Sequence, residues 1–164
     1  MLCTITGHRP QSFSFGFDET APACTSLKAK IKNELTKLIE TGVDSFITGM
    51  ALGVDIWAAE IMIGLKELYP QLKLYAAIPC PGQDKLWSEA QRKRYNLLLT
   101  KCDRRIMLSE SCTKSCMLER DRFMVTHSDV VLAVRNGKPT GGTAYTVDYT
   151  RKLGKKIIII DAPN

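Results

Sequence analysis

Short apolar, β-branched runs alternate along the chain with stretches whose apolar residues recur at helical spacing. Leu2 to Thr6 reads as a first strand. Leu27, Ile31, Leu35, Leu38 and Ile39 then mark one helix face, stopped by Thr41-Gly42. Phe46 to Thr48 predicts a second strand. Ile56 to Tyr69 predicts a helix that is apolar on most sides, hence well buried, and closed by Pro70. Leu72 to Ile78 reads as a third strand, and Pro79-Cys80-Pro81-Gly82 forces a loop. Trp87, Gln91, Tyr95, Leu98, Leu99 and Cys102 share a helical face. A short strand from Arg105 to Leu108 follows, then a polar loop from Ser109 to Ser115 and a helix from Met117 to His127. Asp129 to Val134 predicts a strand, Gly142 to Leu153 a helix stopped by Gly154, and Lys156 to Asp161 the last strand.

Strands separated by helices of this length require crossover connections, so the sheet is expected to be mainly parallel. Val130 to Val134 and Ile157 to Ile160 are continuously apolar, as strands covered on both faces must be. The expectation is an α/β, three-layer Rossmann-like fold, with one domain over residues 1–164 and neither repeat nor linker.

In such folds ligands sit beyond the carboxyl ends of the strands, and there the sequence is most informative. Thr6-Gly7-His8-Arg9-Pro10 follows the first strand. Thr48-Gly49-Met50-Ala51-Leu52-Gly53-Val54-Asp55 follows the second. Asn136-Gly137-Lys138-Pro139-Thr140-Gly141-Gly142-Thr143 follows the Val130–Val134 strand. Glycines let backbone approach a phosphate closely, and the helices about to begin offer free N–H groups and positive partial charge. Arg9 suits a bidentate phosphate clamp, His8 a proton exchange or an orienting bond, and Thr143 a helix cap or a phosphate contact. A carboxylate beside a phosphate repels it, so Asp55 is assigned either to the helix dipole or to a ribose hydroxyl or metal. Arg120 and Arg122, two apart in a helix, point to different faces, one to solvent and the other to the crevice or core edge. Neither G-x-G-x-x-G after the first strand nor G-x-x-x-x-G-K-[ST] occurs, which argues against an ordinary NAD dehydrogenase and a P-loop ATPase.

Composition narrows the remainder. The 164 residues are 45% hydrophobic and 24% charged, an ordinary globular balance. Aliphatic runs such as Ile157 to Ile160 are too short to cross a bilayer, and no leader pattern opens the chain, so a cytoplasmic protein is expected. The six cysteines, Cys3, Cys24, Cys80, Cys102, Cys112 and Cys116, form no C-x-x-C pair and are expected to be free thiols. Cys112 and Cys116, placed to share a helix face, make with His127 only three metal ligands at loose spacing, so no metal site is expected. Of the net +6, most lies in residues 85–105, with seven basic and two acidic groups. A solvated helix face explains this excess, and single-stranded nucleic acid is the weaker alternative, since Trp87 and Tyr95 fall on the apolar face.

The Thr6–Pro10 start, Gly49-Met50-Ala51-Leu52-Gly53-Val54-Asp55, Glu119-Arg120-Asp121-Arg122-Phe123-Met124-Val125 and Gly141-Gly142-Thr143-Ala144-Tyr145-Thr146-Val147 together resemble the YpsA-like proteins of the SLOG superfamily, named for the Smf/DprA and LOG proteins. The resemblance runs from Thr4 to Ile160. It implies a Rossmann-like fold and a nucleotide-derived ligand, NAD-related or ADP-ribose, with Thr6, Gly7, His8, Arg9, Gly49, Gly53, Asp55, Gly141, Gly142 and Thr143 in the ligand loops. LOG enzymes hydrolyse cytokinin nucleotides and carry P-G-G-x-G-T-x-x-E; here Thr146 stands in the position of that glutamate, which argues against the same reaction. Relatives often have Arg-Asn where this chain has Arg120-Asp121. Hydrolysis of an N-glycosidic or phosphate bond, with Asp55 as carboxylate and His8 as proton donor, and DprA-like binding of single-stranded DNA are the alternatives. A homodimer is the oligomeric state suggested by analogy.

Overall fold

A computed structural model describes residues 1–162; the last two residues of the expected domain lie outside the described residues. Six strands, β1 (Leu2–Gly7), β2 (Ser45–Thr48), β3 (Lys73–Ile78), β4 (Arg104–Met107), β5 (Val130–Arg135) and β6 (Lys156–Asp161), form one sheet in the order β4-β3-β2-β1-β5-β6. Every pairing between them is parallel. Five helices connect them: α1 (Pro22–Glu40), α2 (Val54–Leu68), α3 (Glu89–Lys101), α4 (Cys116–His127) and α5 (Gly142–Lys152). The arrangement is the expected α/β, Rossmann-like one.

From β1 the chain moves stepwise to β2, β3 and β4, with α1 packed on α2 and α2 on α3. It then crosses back to β5 and moves the opposite way to β6, with α4 packed on α5. Right-handed crossovers running in opposite directions put the two helix groups on opposite sheet faces. The carboxyl ends of β1 and β5, paired through Thr6↔Ala133 and Gly7↔Val134, therefore diverge into connections on opposite faces and open a crevice.

The larger core lies under α1, α2 and α3. Cys24, Leu27, Ile31, Leu35 and Leu38 form the buried stripe of α1, while Phe46 and Trp57 are the largest wholly buried side chains. Each such aliphatic residue contributes about 1.5–3 kcal/mol by leaving water. The stop read at Thr41-Gly42 is a Schellman turn: Val43 N–H donates to Leu38 O and Gly42 N–H to Ile39 O, both at 3.0 Å, with Gly42 at φ +101°. A smaller cluster of Ile47, Ala77 and Met124 occupies the opposite face. No helix among the described residues is long and apolar enough to cross a membrane.

Three expectations change. The helix expected from Trp87 starts at Glu89, because Ser88 forms a capping box with Gln91; Trp87 precedes it and packs edge-on against Tyr95 at 5.1 Å between ring centroids. Cys112 does not share a helix face with Cys116, because α4 begins only at Cys116, and His127 lies at the opposite end of that helix. The cysteines are not all free: Cys80 and Cys112 are joined by a disulfide, leaving Cys3, Cys24, Cys102 and Cys116 as thiols. The two bonded residues lie 32 apart in sequence, yet both follow the carboxyl ends of neighbouring strands, β3 and β4. That adjacency exists only once the sheet has formed.

Candidate functional site

A cavity of about 510 Å³ occupies the crevice between β1 and β5. Eight residues expected in the ligand loops line it: Thr6, Gly7, His8 and Arg9 from the end of β1, Asp55 from α2, and Gly141, Gly142 and Thr143 from the start of α5. The loop after β1 is held to the loop after β5 by Asn136, whose Nδ2 donates to Ser12 O at 2.8 Å. Asn136 Oδ1 in turn accepts the Lys138 N–H at 3.1 Å. This short turn brings Lys138 to the cavity wall, near the exposed Arg9.

Gly49 and Gly53 are absent from the lining, and their glycine character has another cause. A Cβ on Gly49 would overlap the Arg120 guanidinium. Gly53 has φ +93° and ψ −130°, and a Cβ there would stand 2.5 Å from His8 O. The same His8 carbonyl accepts the Val54 N–H at 3.3 Å. The start of α2 is thus capped by the β1 loop. The start of α5 differs: Gly141, at φ +103°, provides no side-chain cap, and the residues of the first turn, whose N–H groups have no intrahelical acceptors, line the cavity. Thr143 does not cap the helix but lies buried in its first turn.

The inner end of the cavity holds buried charge. Asp55 is 5% exposed and its Oδ2 accepts the Ala51 N–H at 3.2 Å. Burial pushes its carboxyl up to about 7, with Asp121 acting in the same direction and Arg120 opposing. Asp121 is also raised by burial, again against Arg120. Arg120, itself 5% exposed, donates through Nε to Asp121 Oδ1 and through Nη1 to Gly49 O, both at 2.8 Å. The predicted split is observed: Arg120 faces the crevice, whereas Arg122 sits on the exposed side against Tyr145 and Tyr149. His8 is almost wholly buried, and its Nε2 has no hydrogen-bond partner among the described residues. Burial lowers its pKa, with Lys138 adding to the effect and Asn136 opposing, so the ring is neutral at neutral pH.

A second cavity of about 410 Å³ adjoins the first through Arg9 and Gln11, which line both. Its walls are more apolar, with Phe17, Leu52, Leu86 and Trp87 contributing, and Leu86 is 94% exposed. Gln83 also lines it, donating from Nε2 to Gly49 O and Tyr95 OH at 3.3 and 3.1 Å. Gly49 O can only accept, which fixes the amide orientation and leaves Gln83 Oε1 buried without a partner.

Sequence reasoning did not assign Asp121, Asn136, Lys138 or Gln83 to the site. Lys138 and Asn136 stood within the loop it singled out, and Met117, Asp121 and Met124 recur at helical spacing, so a carboxylate interrupts an otherwise apolar stripe. Nothing local marks Gln83. The basic segment is partly neutralised: Arg94 forks onto Glu19 and Glu60 at 2.6–2.9 Å, and Arg92 pairs with Asp84 at 3.4 Å.

Comparison with known proteins gives a family. The model described as the YspA SLOG family matches residues 3–162. Among curated relatives, a UPF0398 protein of Bacillus thuringiensis (strain Al Hakam) is 29% identical over 157 residues, covering 94% of this chain and 84% of the relative. A UPF0398 protein of Bacillus cereus (strain Q1) gives the same identity and coverage. These names state no activity.

Proposed function

The chain belongs to the YspA SLOG family, and from that membership and the crevice geometry we propose that it is a cytoplasmic protein that binds a nucleotide-derived ligand of the ADP-ribose or NAD type. The observation that carries this reading is the cavity at the divergence of β1 and β5, cationic at one end and carboxylate-bearing at the other. Phosphates suit the outer end, where the uncapped amides of α5, Lys138 and Arg9 offer donors and positive charge. A ribose suits the inner end, where Asp55 accepts from hydroxyl groups that a phosphate could not provide. A planar base suits the adjoining apolar cavity, lined by Phe17, Leu52, Leu86 and Trp87.

Titration calorimetry and thermal unfolding with ADP-ribose, NAD, ADP, ribose 5-phosphate and adenosine test the reading. Saturable binding of the phosphate-bearing members is expected. At a hundredfold excess over Kd it stabilises the fold by about 2.7 kcal/mol, or several degrees in Tm. Adenosine, with no phosphate, is expected to bind much more weakly. Unchanged melting with every nucleotide at millimolar concentration contradicts the proposal.

One observation favours hydrolysis of the ligand as a second reading. Burial raises the Asp55 carboxyl to about 7 at the inner end of the cavity, and with a ribose seated there it is poised to donate a proton to a leaving base. Chromatography after incubation with each nucleotide that binds decides it; intact ligand at saturation removes the reading.

A further inference from the structure

Three sulfurs converge where the loops after β3 and β4 meet the start of α4. Cys80 and Cys112 form the disulfide, and the Cys116 thiol lies 3.8 Å from Cys80 Sγ. Burial is graded across the group: Cys80 and Cys116 are buried, while Cys112 is exposed and lines the apolar second cavity. A free thiol against a disulfide sulfur is the reactant arrangement of thiol–disulfide exchange. The remaining cysteines stand apart from such chemistry. Burial pushes Cys3 up to about 12 and Cys102 up to about 11, and it raises Cys24.

We propose that Cys80, Cys112 and Cys116 form an internal disulfide relay whose outlet, Cys112, is a modification site for small-molecule disulfides. Cys116, having lost its proton to solvent, attacks Cys80 Sγ. The Cys80–Cys112 bond breaks as the Cys80–Cys116 bond forms, and the leaving electron pair resides on Cys112 Sγ, which departs as a thiolate. The step is an isomerisation and uses no external oxidant. The freed Cys112 thiolate then attacks a disulfide RSSR, giving Cys112–S–S–R and releasing RS⁻. Cys116 is the direct nucleophile because 3.8 Å separates it from the central sulfur, whereas Cys112 alone of the three faces solvent.

The relay bears on the crevice. One pairing ties the 109–115 loop, which carries Cys112, to the end of β3. The other ties the first residue of α4 there instead, and α4 carries Arg120 and Asp121 into the first cavity. Switching therefore changes what fastens both cavity walls.

Peptide mapping distinguishes the pairings, because trypsin separates the three residues into Leu74–Lys85, Ile106–Lys114 and Ser115–Arg120. The oxidised protein, equilibrated without reductant and then acid-trapped, should show Leu74–Lys85 cross-linked to both partners. A cross-link to Ile106–Lys114 alone overturns the proposal. With glutathione disulfide as probe, the label should appear on Ile106–Lys114, and Cys116→Ser should slow that labelling by about tenfold or more while far-ultraviolet circular dichroism is unchanged. Equal labelling rates in both proteins would show that Cys112 is reached without Cys116, and would likewise overturn the relay. The wild-type map stands by itself if the variant does not fold.

Discussion

Asp55 shows how one buried carboxyl ties stability to pH. Its carboxyl lies at about 7 in the folded protein, against about 3.9 for an unperturbed aspartate. Between those values the folded chain holds a proton that the unfolded chain has released. The stabilisation from this group is complete below about pH 4 and is lost as pH rises to about 7. Asp55→Asn removes the dependence while keeping an oxygen for the Ala51 N–H. In urea denaturation the variant should match wild type near pH 4 and exceed it above pH 7, by an amount on the order of a few kcal/mol. Above pH 7, where the Asp55 carboxyl is ionised, the variant should also bind ADP-ribose more weakly, since a neutral amide replaces a charged acceptor. A variant of unchanged stability across that range contradicts the assignment. Arg120 has the reverse role. It opposes the raised pKa of both Asp55 and Asp121, so Arg120→Ala leaves two buried carboxyls without their cation. The expected loss is about 3–5 kcal/mol at neutral pH, diminishing in acid as the carboxyls protonate. An unshifted urea midpoint at pH 7 contradicts it.

At the scale of elements, two helix starts with similar glycine sequences do different work. The start of α2 is closed by His8 O and reached through Gly53, where positive φ and a close backbone contact coincide. The start of α5 is open, and a Cβ on Gly141 meets nothing within 4 Å. Gly141→Ala should therefore cost only the strain of its φ, about 1–3 kcal/mol. Gly53→Ala should cost more, because the His8 carbonyl must also move. Thermal unfolding of the pair checks this order, and equal losses contradict it. The contrast also shows what was legible. The glycines at both starts stood out in the sequence, as did the stop at Gly42 and the stripe of α1, because each obeys a local rule of spacing or backbone freedom. Which start is capped depends on a carbonyl more than forty residues away, and no local pattern carries that information. The Trp87 boundary failed for a smaller reason: the capping box of Ser88 and Gln91 outweighs one more apolar residue in phase.

At the scale of the molecule, the alternation of strands and helices was enough to place the glycine-bearing loops after β1, β2 and β5 at one sheet edge, because parallel pairing forces every crossover to begin there. The strand order was not readable, yet it decides which loops meet. Only with β1 beside β5 do Thr6–Arg9 and Gly141–Thr143 face each other across a crevice. The same neighbourhood of β3 and β4 brings Cys80 to Cys112, which chain distance concealed. The account thus rests on an anion end and a carboxylate end sharing one cavity. Its most direct test is difference electron density in crystals soaked with ADP-ribose. The account predicts phosphate oxygens within hydrogen-bond distance of the Gly142 and Thr143 amides, with the ribose against Asp55. Density seated outside the β1–β5 crevice, or an empty crevice at concentrations that saturate binding in solution, would contradict it.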